Sequence, residues 1–381
     1  MLNMLYSALP DLLRRLSGQT FNDPDRLWEM LRMLLTAHAP SSGAALPGAI
    51  GGMISAIAIE IGLGDQFLPF IGSTGNLGIS IGVDKPTPDI VIPAHMDRPT
   101  FKVRDEAQRI LYPICAIRYP NPYSASAKAL RFENGVLTVG ARGILHAEQN
   151  TQGETVVTFE PTQGSLRWYD FVTLDAEPQR DGDLITGTGL DNCLGVISAL
   201  GCAALLKSVE NSLERARKRV LFVFTDQEEG NPEAFFGHGA ARLAYAVPPP
   251  NCGVIISDAH AIAPPSVVMG GGASHGSVSA WGRGSYVPPN YLRMAIDLAE
   301  NINVERPKTV QLNTGYMSRS DDLPLGRWAK ILGMIGTPMI GAHTAEETAH
   351  LSDISSTVWW MAHYTLACLG LSQDITRNYA L

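Results

Sequence analysis

The sequence predicts an α/β fold: a mostly parallel sheet with helices on both faces, interrupted by a small inserted β-domain. Three observations predict it. Apolar runs without polar alternation, among them DIVIPA, RVLFVF and GVIIS, read as strands buried on both faces. Runs with helical apolar spacing alternate with those strands, the pattern of parallel strands joined by crossover helices. From Arg98 to about Ile185 the texture changes to short strand-like pieces between Gly, Pro and Asn turns, with no strong helix. The expected division is therefore 1–97 with 186–381 as the main domain, and 98–185 as a β-rich insert.

The elements follow in order. MLNMLYSALPDLLRRL reads as an amphipathic helix; its charge follows the apolar stretch and no small-residue cleavage site comes after it, unlike a signal peptide. DPDRLWEMLRMLLTAHA has helical spacing, with Asp23 or Asp25 available as a cap. PSSGAALPG breaks that helix, and a second apolar helix runs to about Gly62. GNLGISIG and PDIVIPAH read as strands joined by the turn-rich VDKPTP. Within the insert, ILYPICAIRY, GVLTVGA, ETVVTF and WYDFVTL read as short strands. The α/β pattern returns at Gly187: helix NCLGVISALGCAALLKSV, strand RVLFVFT, strand GVIISD, helix PNYLRMAIDLAENI, strands KTVQL and ILGMIGTPMIG, and a closing helix DISSTVWWMAHYTLACL. Ser320, Asp321 and Asp322 read as the cap of a helix over LPLGRWAKIL.

Composition narrows the partners. A chain of 381 residues with 45% apolar content can build a sizeable core. Its 17% charged residues fall below the usual quarter, which suggests surface buried in a homo-oligomer. A net charge of −8 argues against nucleic acid or an anionic membrane as partner. No run is expected to span a bilayer, since GGMISAIAIEIGLG is about 14 residues where roughly 20 are needed. Five cysteines show no paired spacing, and Cys193, Cys202 and Cys252 sit in apolar segments. That usage fits a reducing, cytoplasmic setting.

The chemistry lies in residues that end or follow the predicted strands. His95 ends VIPAH, Glu228 and Glu229 follow RVLFVFT, Asp258 ends GVIIS, and His343 follows MIGTPMIGA. Asp191 stands at a helix start beside the same edge. In open α/β sheets ligands bind just beyond the carboxyl ends of the strands, so one architectural rule gathers all of these. Singly, each has an ordinary explanation: a core histidine, a helix N-cap, a solvated loop, a turn. Together, two imidazoles and three carboxylates suit a pair of divalent metals sharing one carboxylate and activating a bridging water. Asp97, two residues after His95, can accept the other ring N–H and fix its tautomer. Hydrolysis of an amide bond is the leading expectation. A glycoside hydrolase would need two carboxylates facing each other across a sugar; adjacent Glu228 and Glu229 do not suit that, and the histidines would be unexplained.

The series HMD, GxxxDN, QEEG, strand-Asp and HTAEE resembles the two-metal aminopeptidase clan, and within it the glutamyl aminopeptidase family with tetrahedral assemblies, also labelled cellulase-M-like. PSSG, STGNL and the LSDI after HTAEE are further echoes, and the likeness covers nearly the whole chain. The resemblance implies His95 and Asp258 on one metal, Glu229 and His343 on the other, Asp191 bridging, and Glu228 as general base. It also implies Asp97 in a catalytic supporting role, two divalent ions (Zn²⁺, or Co²⁺ or Mn²⁺), a peptide substrate with a free N-terminus, and a homo-oligomer of perhaps twelve subunits. A deacylase or other amidohydrolase of the same clan, or a non-catalytic assembly protein, are the alternatives. The chain departs from the family at Arg98, where Glu usually follows HMD; at Asn192, where Arg usually follows the Asp; and at Ile340, Gly341 and Ala342, where Arg-Tyr often precedes the late His. The segment GNPEAFFGHGA is also longer than usual. His238 and His275, in Gly-rich loops, are expected to approach substrate; His146 and His260 rank below them.

Overall fold

The computed structural model describes residues 21, 23–115, 118–230, 236–315, 319–370 and 377–381. The helix expected over MLNMLYSALPDLLRRL lies outside the described residues. Helix α1 (Pro24–Thr36) starts where the Asp23 carboxylate accepts from the N–H groups of Asp25 (3.0 Å) and Arg26 (3.3 Å). It buries Leu27, Leu31, Leu34 and Leu35, one stripe of a 3.6-residue repeat. Helix α2 (Ile50–Glu60) and strands β1 (Phe67–Leu68), β2 (Leu77–Gly82) and β3 (Ile90–His95) follow.

Strands β4 (Phe101–Asp105), β5 (Ile110–Pro113), β6 (Tyr123–Glu133), β7 (Val136–Gln149), β8 (Thr155–Gly164) and β9 (Phe171–Leu174) close into a barrel in the order β4-β5-β8-β7-β6-β9. The barrel has its own core, with Phe101, Leu145, Phe159 and Val172 fully buried. The chain then returns through β10 (Gln179–Asp181) and β11 (Leu184–Gly187), which pair in the large sheet. The segment 98–185 thus holds the barrel and, at its end, strands of the main sheet.

The remaining elements are α3 (Leu190–Ser208), α4 (Glu210–Arg215), β12 (Arg219–Thr225), α5 (His238–Ala246), β13 (Gly253–Ala261), β14 (Ala273–Gly276), α6 (Pro289–Glu305), β15 (Val310–Asn313), α7 (Asp322–Leu325), β16 (Ile331–Ile340), β17 (Glu347–His350) and α8 (Leu351–Cys368). The large sheet runs β1-β2-β12-β3-β13-β16-β17-β11-β10, with β14 and β15 branching from β16. The expectation of a mostly parallel sheet is corrected: β12, β3, β13 and β16 are parallel neighbours, but every other pairing along that path is antiparallel. Only the fully buried central strands carry the continuous apolar signature of parallel pairing.

Helix α3 corrects a second expectation. It is 19 residues long and apolar enough to cross a bilayer by length and composition, but 83% of its apolar window is buried. It packs on α8, β13 and β3 as the central helix of the fold. All five cysteines are free thiols. The helix expected over LPLGRWAKIL shrinks to α7, because the chain turns at Gly326 and becomes β16 by Ile331.

Candidate metal centre

Four adjacent parallel strands end on one edge, and each delivers a side chain there. His95 is the last residue of β3 and pairs in register with Thr225, the last of β12. Glu228 and Glu229 follow three and four residues beyond. Asp258 lies in β13 opposite Gly336 of β16, and His343 follows the end of β16. Asp191 enters from the start of α3, where it and Asn192 depart from helical geometry across a cis peptide.

Asp191 does not cap its helix; its carboxylate lies between the two imidazoles. Oδ1 is 3.2 Å from Nε2 of His95, and Oδ2 is 3.7 Å from Nε2 of His343. On the first side, Asp258 Oδ1 stands 3.5 Å from His95 Nε2. On the second, Glu229 Oε1 stands 3.2 Å from His343 Nε2. Glu228 Oε2 is 3.8 Å from His95 Nε2 and faces the same space. His95–Asp191–Asp258 and Asp191–Glu229–His343 each offer donor atoms within 4.8 Å of one another. The donors are oxygen and imidazole nitrogen without thiolate, the set that suits zinc, cobalt or manganese. Glu229 Oε1 is buried, and among the described residues it faces His343 Nε2 at 3.2 Å without a well-formed hydrogen bond, a cost that a cation at this point would remove. The residues present therefore fit divalent metal ions.

Electrostatics agree with that fit. Burial works against an imidazolium at His95, yet Glu228, Asp191, Asp258 and Asp97 together hold it well above its usual value. Burial likewise opposes charge on His343, but Glu229 and Asp191 raise it to about 9. Burial pushes the Glu228 carboxyl well up, and the neighbouring Glu229 and Asp258 add to that against the pull of His95. Asp191 is lowered despite its burial, because both imidazoles favour its charged form. Without metal, protons stand where cations would.

Two further carboxylates grip the backbone behind the cluster. Asp97 was expected to take the ring N–H of His95. Instead the His95 Nδ1 lies 3.2 Å from the Asp97 carbonyl oxygen, and 3.7 Å from its carboxylate. The Asp97 carboxylate accepts from the N–H groups of Glu228 (3.0 Å) and Glu229 (3.2 Å). Glu347 does the same on the other side, accepting from the N–H groups of His343 (2.7 Å) and Asp191 (3.2 Å). Its carboxyl is raised to about 8 by burial and by Asp191. The HTAEE spacing held the signal for Glu347, since a carboxylate four residues after His343 can close back over the turn.

The other candidates fall elsewhere. His275 is buried in β14, where its Nδ1 accepts from the indole N–H of Trp360 and Tyr364 packs at its edge, so it is not brought to the centre. His260 is buried in the core and His146 lies on the barrel, hydrogen-bonded to Ser124. His238 opens α5 and lines a separate groove described below. Asp321 does not cap α7 through its side chain; Thr225 donates to it beneath the cluster, and burial raises it to about 7. Arg118, from the barrel side, and Arg319 reach the mouth of the centre and were not singled out in the sequence.

An α/β sheet with this cluster at its parallel strand ends defines the class of a metal-dependent hydrolase. The chain belongs to the M42 glutamyl aminopeptidase family, whose sequence profile matches residues 160–359. It is accordingly a metal-dependent aminopeptidase. Among solved structures it is similar to a TET aminopeptidase from a marine sediment archaeon of the Thaumarchaeota, with a TM-score of 0.70, 14% identity, and coverage of 93% of this chain and 99% of that one. It is also similar to an aminopeptidase from Desulfurococcus kamchatkensis, with a TM-score of 0.69, 18% identity, and coverage of 90% and 94%. The TET1 peptidase of Pyrococcus horikoshii, described as assembling into a tetrahedron or a large octahedral shell, gives a TM-score of 0.64, 19% identity, and coverage of 88% and 98%. These likenesses speak to the fold. No curated protein matches the sequence.

Proposed function

We propose that this aminopeptidase removes the N-terminal residue of peptides at a two-metal centre held by His95, Asp258, Glu229 and His343, with Asp191 shared. The observation that carries the proposal is the Asp191 carboxylate, one oxygen turned to each imidazole at 3.2 and 3.7 Å. Zinc is the expected metal, with cobalt or manganese as alternatives. When bound, the ions lower the pKa of water and polarise the scissile carbonyl. Glu228, buried and with its carboxyl raised, is the general base: it takes the proton of the attacking water and returns it to the leaving amine. Asp97 and Glu347 hold the backbone of four of these residues, so their carboxylates act by position. The sparse surface charge and the exposed barrel aromatics Trp168, Tyr112 and Phe132 support a homo-oligomer. The dodecamer described for a TET1 neighbour sets twelve subunits as the expected count.

Glu228→Gln tests the base. The variant should retain the metal content of the parent and lose turnover of an aminoacyl-anilide by about 10²- to 10⁴-fold. Unchanged turnover with intact metal would remove Glu228 from the mechanism. An acetylated anilide should not be cleaved, since the free amine is part of what the site binds.

A further inference from the structure

We propose that the groove beyond Phe236 is a subsite for carboxylates on the part of the peptide downstream of the scissile bond. The proposal rests on the aminopeptidase reading above and adds the substrate class. The space at the ligand cluster is small, about 40 Å³, room for the reacting atoms and little more. The rest of a peptide must lie outside it. Phe236 stands at the wall of that space, with the Arg319 guanidinium 4.7 Å from the centre of its ring. The other side of Phe236 lines an open groove of about 680 Å³.

Among the described residues, the wall of this groove carries Arg283, Arg327, Lys330 and His238 and no carboxylate. Several cations of the chain meet acids: Arg131 with Asp170, Lys128 and Arg142 with Asp175, Lys207 with Glu210, Arg293 with Asp297. Among the described residues, Arg283, Arg327 and Lys330 have no such partner. The concentration of unpaired positive charge stands out in a protein whose net charge is −8. A concave surface lined by one sign of charge concentrates ligands of the opposite sign. A peptide offers that sign in two ways, an acidic side chain after the cleaved residue or the C-terminal carboxylate of a short chain. Phe236 lines both spaces, which puts the groove beside the centre where the amine of a peptide would be held.

The experiment compares leucyl tetrapeptides of one length, with Ala or Asp at the downstream positions and with a free or amidated C-terminus, alongside leucine and glutamate anilides. The full chain loaded with metal is set against Arg283→Ser/Arg327→Ser/Lys330→Ser. The acidic peptides should show the higher kcat/KM, and the triple variant should lose about threefold or more of it through KM, the loss shrinking in high salt. Leucine anilide, whose leaving group is a neutral ring without a carboxylate, should be cleaved at the parental rate. A gain with the free C-terminus alone assigns the groove to the terminal carboxylate; a gain with Asp alone assigns it to side chains. Equal kcat/KM for acidic and neutral peptides in the parent overturns the proposal. So does a triple variant that loses glutamate anilide selectively, because the groove would then hold the N-terminal side chain. Fluorescence anisotropy of a labelled Leu-Asp-Asp peptide on Glu228→Gln, with and without the triple change, reads the groove independently of turnover. Loss of all anilide cleavage by the parent would instead sink the hydrolytic reading.

Discussion

At the scale of single residues, the position of Asp191 depends on its neighbour. Asn192 is almost fully buried; its Oδ1 accepts from the N–H of Gly195 at 2.8 Å, and its Nδ2 donates to the carbonyl of Ser257 at 3.0 Å. The first bond caps the regular part of α3 after the irregular turn at Asp191. The second ties that turn to β13, one residue before Asp258. One amide side chain therefore sets the distance between two candidate ligands. The family's usual Arg at this position carries no acceptor and could not cap in this way. Asn192→Ala should cost about 1–3 kcal/mol in urea unfolding, since it removes both bonds and leaves a buried N–H and a buried carbonyl unpaired. Asn192→Asp keeps the acceptor but loses the donor, and should keep more of the stability. Both should bind metal more weakly than the parent in a competition with a chelator; equal affinity would show that Asn192 serves the helix alone.

At the scale of elements, Arg98 explains how a departure from the family is tolerated. Helix α1 has no basic residue in its last turn. Arg98 arrives from beyond β3 and supplies the charge there: Nη1 donates to the carbonyls of Leu35 (3.0 Å) and Ala37 (3.2 Å), and Nη2 to that of Leu34 (2.6 Å). Its stem packs on Gly189, where a Cβ would fall 2.2 Å from Nε and where φ is +84°. A Glu here would turn a negative charge toward the same carbonyl oxygens. Arg98→Met should cost about 2–4 kcal/mol in urea unfolding, Arg98→Lys should recover part of that, and Arg98→Glu should be the worst of the three. Equal midpoints for Met and Glu would refute the helix-end role. The same scale shows what was legible in the sequence. DIVIPA, RVLFVF and GVIIS were readable as strands because burial on both faces leaves no polar alternation. Asp23 was readable as a cap because its contact is local. The outer pairing of β17 with β11 was not, because ETAH and LITG are short and their partners lie far along the chain. Asp321 was read as a cap from its local sequence, but its true partner, Thr225, is 96 residues away. His275 lies among glycines in sequence and in the core in space, since β14 pairs with β16 on one side and β15 on the other.

At the scale of the whole molecule, the fold gathers acids at one edge of the sheet and must neutralise them. In the metal-free chain protons do so. His343 is raised to about 9, although burial opposes it, because Glu229 and Asp191 favour its charge; Glu347 is raised to about 8 by burial and Asp191. The sign follows from linkage. A group whose folded pKa exceeds its unfolded value stabilises the fold fully below the unfolded value and loses that contribution as pH rises through the folded one. For His343 the window runs from 6.5 to about 9, and for Glu347 from 4.5 to about 8. These groups make the metal-free chain less stable as pH rises through those windows. Metal binding works in the opposite sense, because an imidazole must be neutral to ligate. At neutral pH the two ions should displace protons from His95 and His343, and apparent affinity should rise by about tenfold per pH unit for each proton released, the His343 share levelling above about pH 9. Titration calorimetry with zinc or manganese, in buffers of different protonation enthalpy, counts those protons directly. The increase in Tm on adding metal should be larger at pH 8.5 than at pH 6.5. Heats that do not depend on the buffer would mean that the imidazoles are already neutral, and the charge balance drawn for this edge of the sheet would be wrong.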